Sequence, residues 1–299
     1  MFQLKGVYAA MPTIFHEDER LFYEENQRLA AHLAQNGLHG VITGGSTGEY
    51  LHMTLAERRQ LLREICEAVQ GHCQVIAQIG AGTCGETIAF GEYAAACGAD
   101  ACLVITPSYF SYDFEAVYSY YKMLSDALPL PIVIYHYPAA TGVSLTPEEI
   151  AALSELPRVA GLKNTEDMDH TAKCISALRQ LGYGPERFGI ASGYDSLLTA
   201  IFAAGGDASM GVIHNLFPKQ VRRLFHAVST NDFFQAQQIY QKLMPFIIWM
   251  DRGYYPGTVK AALTALGFQA GRPRRPIPPV SRELQAELTR LLESQDMYE

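Results

Sequence analysis

The chain has 299 residues, 48% of them hydrophobic, and a formal net charge of −8. That length is ordinary for one α/β barrel and supplies a large core. The basic residues are scattered, which excludes a nucleic-acid surface built on a Lys/Arg cluster.

Taken in order, short β-like runs alternate with amphipathic helical segments. Gly6–Phe15 reads as a first strand, and Leu21–Asn36 as a helix stopped at Gly37, a C-cap residue. Gly40–Thr43 is a second strand. Thr54 with Glu57 three residues on is a capping box, opening a helix to about Gln70. Gln74–Ile79 is a third strand, followed by a helix around Glu86–Cys97. Ala101–Thr106 is a fourth, with Asp113 capping a helix to about Leu128. Pro131–Tyr137 is a fifth, and Thr146-Pro147 starts the next helix. Val159–Lys163 is a sixth strand before a helix at Asp169–Leu181. Phe188–Ser192 is a seventh, with a helix at Ser196–Ala204. Ala208–Ile213 is an eighth, with Pro218–Ser229 after it.

Eight strand–helix repeats predict a (β/α)8 TIM barrel over residues 1–230. Residues 231–299 are expected to form a C-terminal helical extension packed on the barrel, with helices at Asp232–Met250, Thr258–Leu266 and Arg282–Glu293. The proline-rich GRPRRPIPPV between the last two reads as an extended strap. The six cysteines (Cys66, Cys73, Cys84, Cys97, Cys102 and Cys174) form no CxxC pair and read as core residues of a reducing compartment. The N-terminus lacks a signal-like apolar stretch and no apolar run reaches transmembrane length, so a soluble cytoplasmic protein is expected.

In such barrels chemistry sits at the C-terminal strand ends. VAGLKNTE, Val159 to Glu166, is an apolar run that places Lys163 at a strand end, partly out of water. Desolvation lowers a lysine pKa, and the neutral amine attacks a ketone to form a Schiff base. On this stretch alone, a lysine snorkelling from a strand end is the competing reading. GGSTGE, Gly44 to Glu49, follows strand two and offers backbone N–H groups with the Ser46 and Thr47 hydroxyls. That suits a carboxylate or phosphate, although a plain glycine-rich turn reads the same way. TPSYF brings Tyr109 to the rim. YHYPAATG brings Tyr135, pointing inward near the top, where a core tyrosine with a satisfied hydroxyl is the alternative. SGYD brings Gly193 and Asp195. An amine, two phenols, an anion cradle and a carboxylate at one barrel mouth suit a lysine condensing with a 2-oxo acid, with no external cofactor.

The ordered set GGSTGE, TPSYF, YHYPAATG, GLKNTE and SGYD resembles the dihydrodipicolinate synthase / N-acetylneuraminate lyase family of class I aldolases. The resemblance covers roughly residues 5–270. It implies pyruvate bound to Lys163 as a Schiff base, with Tyr135 transferring protons. Ser46 would link Tyr135 to Tyr109, which in the family enters from a neighbouring subunit of a homotetramer, a dimer of dimers. Thr47 and the amides of Ser46 and Thr47 would hold the pyruvate carboxylate, with Gly45, Gly193, Asp195 and Met210 as further substrate contacts. The partners are then pyruvate and a small aldehyde or 2-oxo acid.

Three departures bear on the substrate. Ala140 stands where true dihydrodipicolinate synthases carry an arginine for the carboxylate of aspartate semialdehyde. Ser108 breaks the tyrosine pair often seen before the rim tyrosine. Ser196 stands where neuraminate lyases keep a second acid. The chain therefore reads as closer to aldolases and dehydratases of 2-oxo-3-deoxy sugar acids. The alternatives are 4-hydroxy-tetrahydrodipicolinate (dihydrodipicolinate) synthase and an N-acetylneuraminate lyase-like enzyme. From other classes come an inactive small-molecule sensor and a metal-dependent barrel hydrolase using His136, His214 and Asp195.

Overall fold

Side chains at the helix starts settle where the chain turns from strand to helix. In a computed structural model describing residues 2–294, the Thr54 hydroxyl accepts from the Glu57 N–H while the Glu57 carboxylate accepts from the Thr54 N–H. Thr146 and Glu149 repeat that box ahead of Pro147–Ser154. Asp113, Asp167 and Asp232 cap Phe114–Ala127, Met168–Gln180 and Phe233–Met250 in the same way. Each cap satisfies an N–H that the first turn leaves without an intrahelical partner.

The strands are β1 Gly6–Ala10, β2 Gly40–Thr43, β3 Gln74–Gln78, β4 Ala101–Ile105, β5 Ile132–His136, β6 Val159–Asn164, β7 Gly189–Ser192 and β8 Ala208–Gly211. They follow one another in sequence order around a closed barrel, as the eight repeats predict. Parallel strands covered by helices are buried on both faces, hence their unbroken apolar runs. The register matters most near the C-terminal ends. Ile105 pairs with Tyr135, Tyr135 with Lys163, Lys163 with Ala191, and Ala191 with Ala208. Partners in register share one face of the sheet, so Tyr135 and Lys163 stand side by side. The next row, His136, Asn164 and Ser192, faces the other way.

Several predicted elements differ in extent. β1 stops at Ala10, not Phe15, because Pro12 has no N–H for a ladder; Phe15 instead makes an isolated antiparallel bridge to Leu21. β8 ends at Gly211, and Ile213–Asn215 forms a 3-10 turn. The helix expected over Ser196–Ala204 is a 3-10 turn at Asp195–Leu197 and a short helix at Ala200–Ala203. Ser196 and Thr199 compete for backbone hydrogen bonds there, and Gly205 and Gly206 follow at once.

By internal packing the described chain divides into two compact units, residues 2–6 with 75–211 and residues 7–74 with 212–294. The first holds β3 to β8. The second holds β2, the GGSTGE loop and the C-terminal helices Phe233–Met250, Gly257–Ala265 and Arg282–Ser294. The strap at residues 271–280 is free of helix, as its prolines require. The expected boundary at residue 230 is a separate division that we retain as a proposal; its last five residues lie outside the described ones.

Candidate active site

Lys163 sits on β6 with only 6% of its surface exposed. Its Nζ lies over the Tyr135 ring, 4.3 Å from the centroid. Burial lowers its pKa to about 8, against the opposing pull of the Asp195 carboxylate. Desolvation prevails here because an aromatic face returns less than the water it displaces. The amine is thereby brought toward the neutral, nucleophilic form. Tyr135 is 3% exposed, and its ring stacks at 6.0 Å with Tyr137.

Gly193 follows β7 beside this amine. A Cβ there would lie 2.2 Å from Thr165 Oγ1 and 3.2 Å from Lys163 Cε. Any side chain there would have to displace the Thr165 hydroxyl and would crowd the lysine stem. In the sequence only its position two residues after the lysine marks Thr165. Asp195 is half-buried in the turn that opens after Tyr194. Met210 is fully buried on β8. Tyr109 is the outlier. It is 93% exposed, with φ +80°, and its ring meets that of Phe110 edge-on at 5.1 Å. Ala140 is exposed at the end of the turn Pro138–Thr141.

The GGSTGE loop belongs to the second unit. Gly45 and Thr47 are buried and Ser46 is half-buried. The Thr13 hydroxyl donates to the Gly48 carbonyl at 2.8 Å, holding the loop from below. Glu49, in the left-handed region at φ +56°, turns its buried carboxylate to Lys260 in an ion pair. The Arg274 N–H donates to the other Glu49 oxygen at 2.8 Å. Lys260 is fully buried, and burial lowers its pKa to about 8 although Glu49 pulls the other way. The Arg274 guanidinium reaches the Glu57 carboxylate at 2.5 Å and the His52 carbonyl at 2.7 Å. The Tyr255 hydroxyl hydrogen-bonds Thr47 Oγ1. Sequence reasoning missed Lys260, Arg274 and Tyr255, since they lie more than two hundred positions from the loop they grip.

Behind the Lys163 row lies a closed polar network. His136 Nδ1 bonds Asn164 Oδ1 at 2.8 Å, and the Leu145 N–H donates to His136 Nε2 at 3.0 Å. This engages His136, one of the residues considered as a metal ligand. Among the described residues no group of three or more His, Cys, Asp or Glu side chains is poised to hold a metal ion, and no helix is long and apolar enough to cross a membrane.

Comparison with known proteins gives the same picture over the whole chain. The family model described as "Dihydrodipicolinate synthetase family" matches residues 3–295. A 4-hydroxy-tetrahydrodipicolinate synthase of Synechococcus elongatus is 34% identical over 297 residues, covering 98% of this chain and 96% of that protein. The crystal structure of dihydrodipicolinate synthase from Thermotoga maritima superposes with a TM-score of 0.93 at 30% identity, covering 99% of this chain and 100% of that one. YagE, a prophage protein of the same family from E. coli K12 solved with pyruvate, gives 0.90 at 26% identity, covering 97% and 98%. The curated relatives bear the name of the synthase, the alternative above, and not that of a sugar-acid aldolase. The dihydrodipicolinate synthetase family consists of Schiff-base-forming lyases that carry pyruvate on a lysine without an external cofactor, and this chain belongs to it.

Proposed function

We propose that this chain carries pyruvate as an imine on Lys163 and joins the resulting enamine to a second carbonyl compound, or runs that reaction in reverse. The carrying observation is the buried Lys163 amine over the Tyr135 ring, with its pKa lowered to about 8. Nζ attacks C2 of pyruvate, and the carbinolamine loses water as the Tyr135 hydroxyl moves the proton. A C3 proton then passes to the Tyr135 oxygen, and the electrons of that C3–H bond flow into the protonated imine, giving the neutral enamine nucleophile. Thr47 Oγ1 and the amides of Ser46 and Thr47 take the pyruvate carboxylate. Gly45, Gly193, Asp195 and Met210 border the substrate. Ser46 passes protons between Tyr135 and Tyr109, the latter from a neighbouring copy in a cytoplasmic homotetramer.

For the second substrate the relatives' shared name favours aspartate semialdehyde, the reaction of 4-hydroxy-tetrahydrodipicolinate synthase. One observation favours a second reading, a 2-oxo-3-deoxy sugar acid: exposed Ala140 offers no cation for a second carboxylate. Borohydride reduction in the presence of pyruvate tests the shared chemistry. A lasting adduct mapped to Lys163 is expected. Its appearance on Lys122, Lys173 or any other lysine would overturn the proposal, and no adduct at all would favour a sensor or a hydrolase.

A further inference from the structure

The segment MDRGYYPG, Met250 to Gly257, carries no recognisable motif, yet it closes on the GGSTGE loop within the second unit. It is anchored at both ends. The Thr258 hydroxyl donates to the Met250 carbonyl at 3.0 Å, and the Gly257 N–H donates to the Tyr254 carbonyl at 2.7 Å. Arg252 is held by Glu287 at 2.5 Å, and the Trp249 indole N–H donates to the Leu284 carbonyl at 2.9 Å. A Cβ on Gly253 would lie 2.5 Å from Thr258 Cγ2, so the turn is packed as well as bonded. Two grips then fall on one loop: Lys260 on Glu49, and Tyr255 on Thr47 two residues earlier.

The hydroxyl chemistry gives the second grip a direction. A threonine hydroxyl has one proton and two acceptor lone pairs, and a phenol is the more acidic donor. Thr47 is 2% exposed, so its hydroxyl is largely shielded from water. When Tyr255 donates to Thr47 Oγ1, the threonine proton is left to be given elsewhere. A carboxylate accepts only.

We propose that Tyr255 is a positioning residue for substrate binding: its O–H donates to Thr47 Oγ1 and so presents the Thr47 proton to the pyruvate carboxylate. This inference rests on the pyruvate-imine reading above. Removing the phenolic oxygen should weaken pyruvate binding and leave the chemistry on Lys163 in place.

The test is steady-state kinetics with Tyr255→Phe, Thr47→Val and the double variant, alongside borohydride trapping at saturating pyruvate. Tyr255→Phe keeps the ring, and thermal unfolding checks that each variant is folded. The KM for pyruvate is expected to rise about fivefold to tenfold, as the loss of one hydrogen bond implies, with kcat nearly unchanged and the adduct still on Lys163. The double variant should bind pyruvate no worse than Thr47→Val, because the phenol acts only through that hydroxyl. An unchanged KM in Tyr255→Phe overturns the proposal, and so does a fall confined to kcat or a double variant whose losses add. Should Tyr255→Phe unfold, Thr47→Val with Tyr255 intact still decides: an unchanged KM for pyruvate there overturns it. Failure of the wild-type protein to trap pyruvate on Lys163 would instead remove the reading beneath it, a separate and recognisable result.

Discussion

Two buried lysines in this chain share a depressed pKa of about 8 yet have opposite roles. Lys260 answers the Glu49 carboxylate, whereas Lys163 faces an aromatic ring and draws electrostatic support from Asp195. Substitution should separate them. Lys260→Met strands a buried carboxylate, and breaking such a pair costs about 3–5 kcal/mol. Its Tm should fall sharply. Lys163→Met removes an amine whose burial is already unfavourable, so its Tm should hold or rise while pyruvate trapping disappears. The sign follows from linkage. The folded pKa lies below the ordinary 10.5, so the unfolded chain binds the extra proton between about 8 and about 10.5. Wild-type stability from this group therefore rises with pH across that window, and the advantage of Lys163→Met shrinks across it. Catalysis reads the same value directly. At subsaturating pyruvate the trapping rate should climb with pH and level off above about 8, as the neutral amine fills. A climb that continues unchanged to about 10.5 would place the reactive amine in an ordinary aqueous setting.

At the scale of elements, β5 and β6 are tied behind the row of Tyr135 and Lys163 by Asn164. The Leu145 N–H requires His136 Nε2 to accept, so the proton sits on Nδ1 and is donated to Asn164 Oδ1. Asn164 Nδ2 then donates to His170 Nδ1 at 3.1 Å and to Thr171 Oγ1 at 2.9 Å, and His170 Nε2 donates to the Leu145 carbonyl at 2.8 Å. Burial holds the His136 pKa below its ordinary value, in keeping with a neutral ring. Asn164→Ala leaves buried His136 and Thr171 and half-buried His170 short at once and should cost about 2–4 kcal/mol, read as a fall in the chemical-denaturation midpoint. Because Asn164 follows Lys163 on one strand, pyruvate trapping should slow as well. A midpoint unchanged within error would mean that water replaces the amide. This network was not legible in the sequence, although His136 and Asn164 stood inside quoted motifs, because each is adjacent to a more conspicuous residue and faces the opposite side of the sheet. What was legible followed local rules: caps at Thr54, Asp113 and Thr146, apolar strand runs, and a lysine ending one of them. What was not legible depended on distant closure, such as Lys260 and Arg274 on Glu49, or on a proline ending β1 early.

For the whole molecule the open question is which second carbonyl compound the barrel accepts, and cation placement frames it. A second carboxylate left unpaired out of water costs several kcal/mol, so a synthase of aspartate semialdehyde needs donors for it. Arg252 is held by Glu287, and Arg274 is held by Glu57. Ala140 supplies nothing. If the relatives' activity extends to this chain, hydroxyl and backbone N–H donors carry that carboxylate instead. The measurement is kcat/KM for aspartate semialdehyde against glyceraldehyde, each with pyruvate, in the wild-type protein and in Ala140→Arg. On the synthase reading the semialdehyde should win by tenfold or more, about 1.4 kcal/mol of transition-state preference, and Ala140→Arg should add little because the carboxylate is already held. If glyceraldehyde wins, the sugar-acid reading replaces it. The new guanidinium, free to form a bidentate pair, should then recover the semialdehyde selectively without changing the KM for pyruvate. The exposed aromatic group of Tyr109 (93%) and Phe110 (66%) enters the same assay. With Tyr109 supplied by a neighbouring copy, turnover per chain should fall on dilution in step with dissociation measured by sedimentation. Turnover that stays constant through dissociation would show that each copy works alone and that Tyr109 has no part in the reaction.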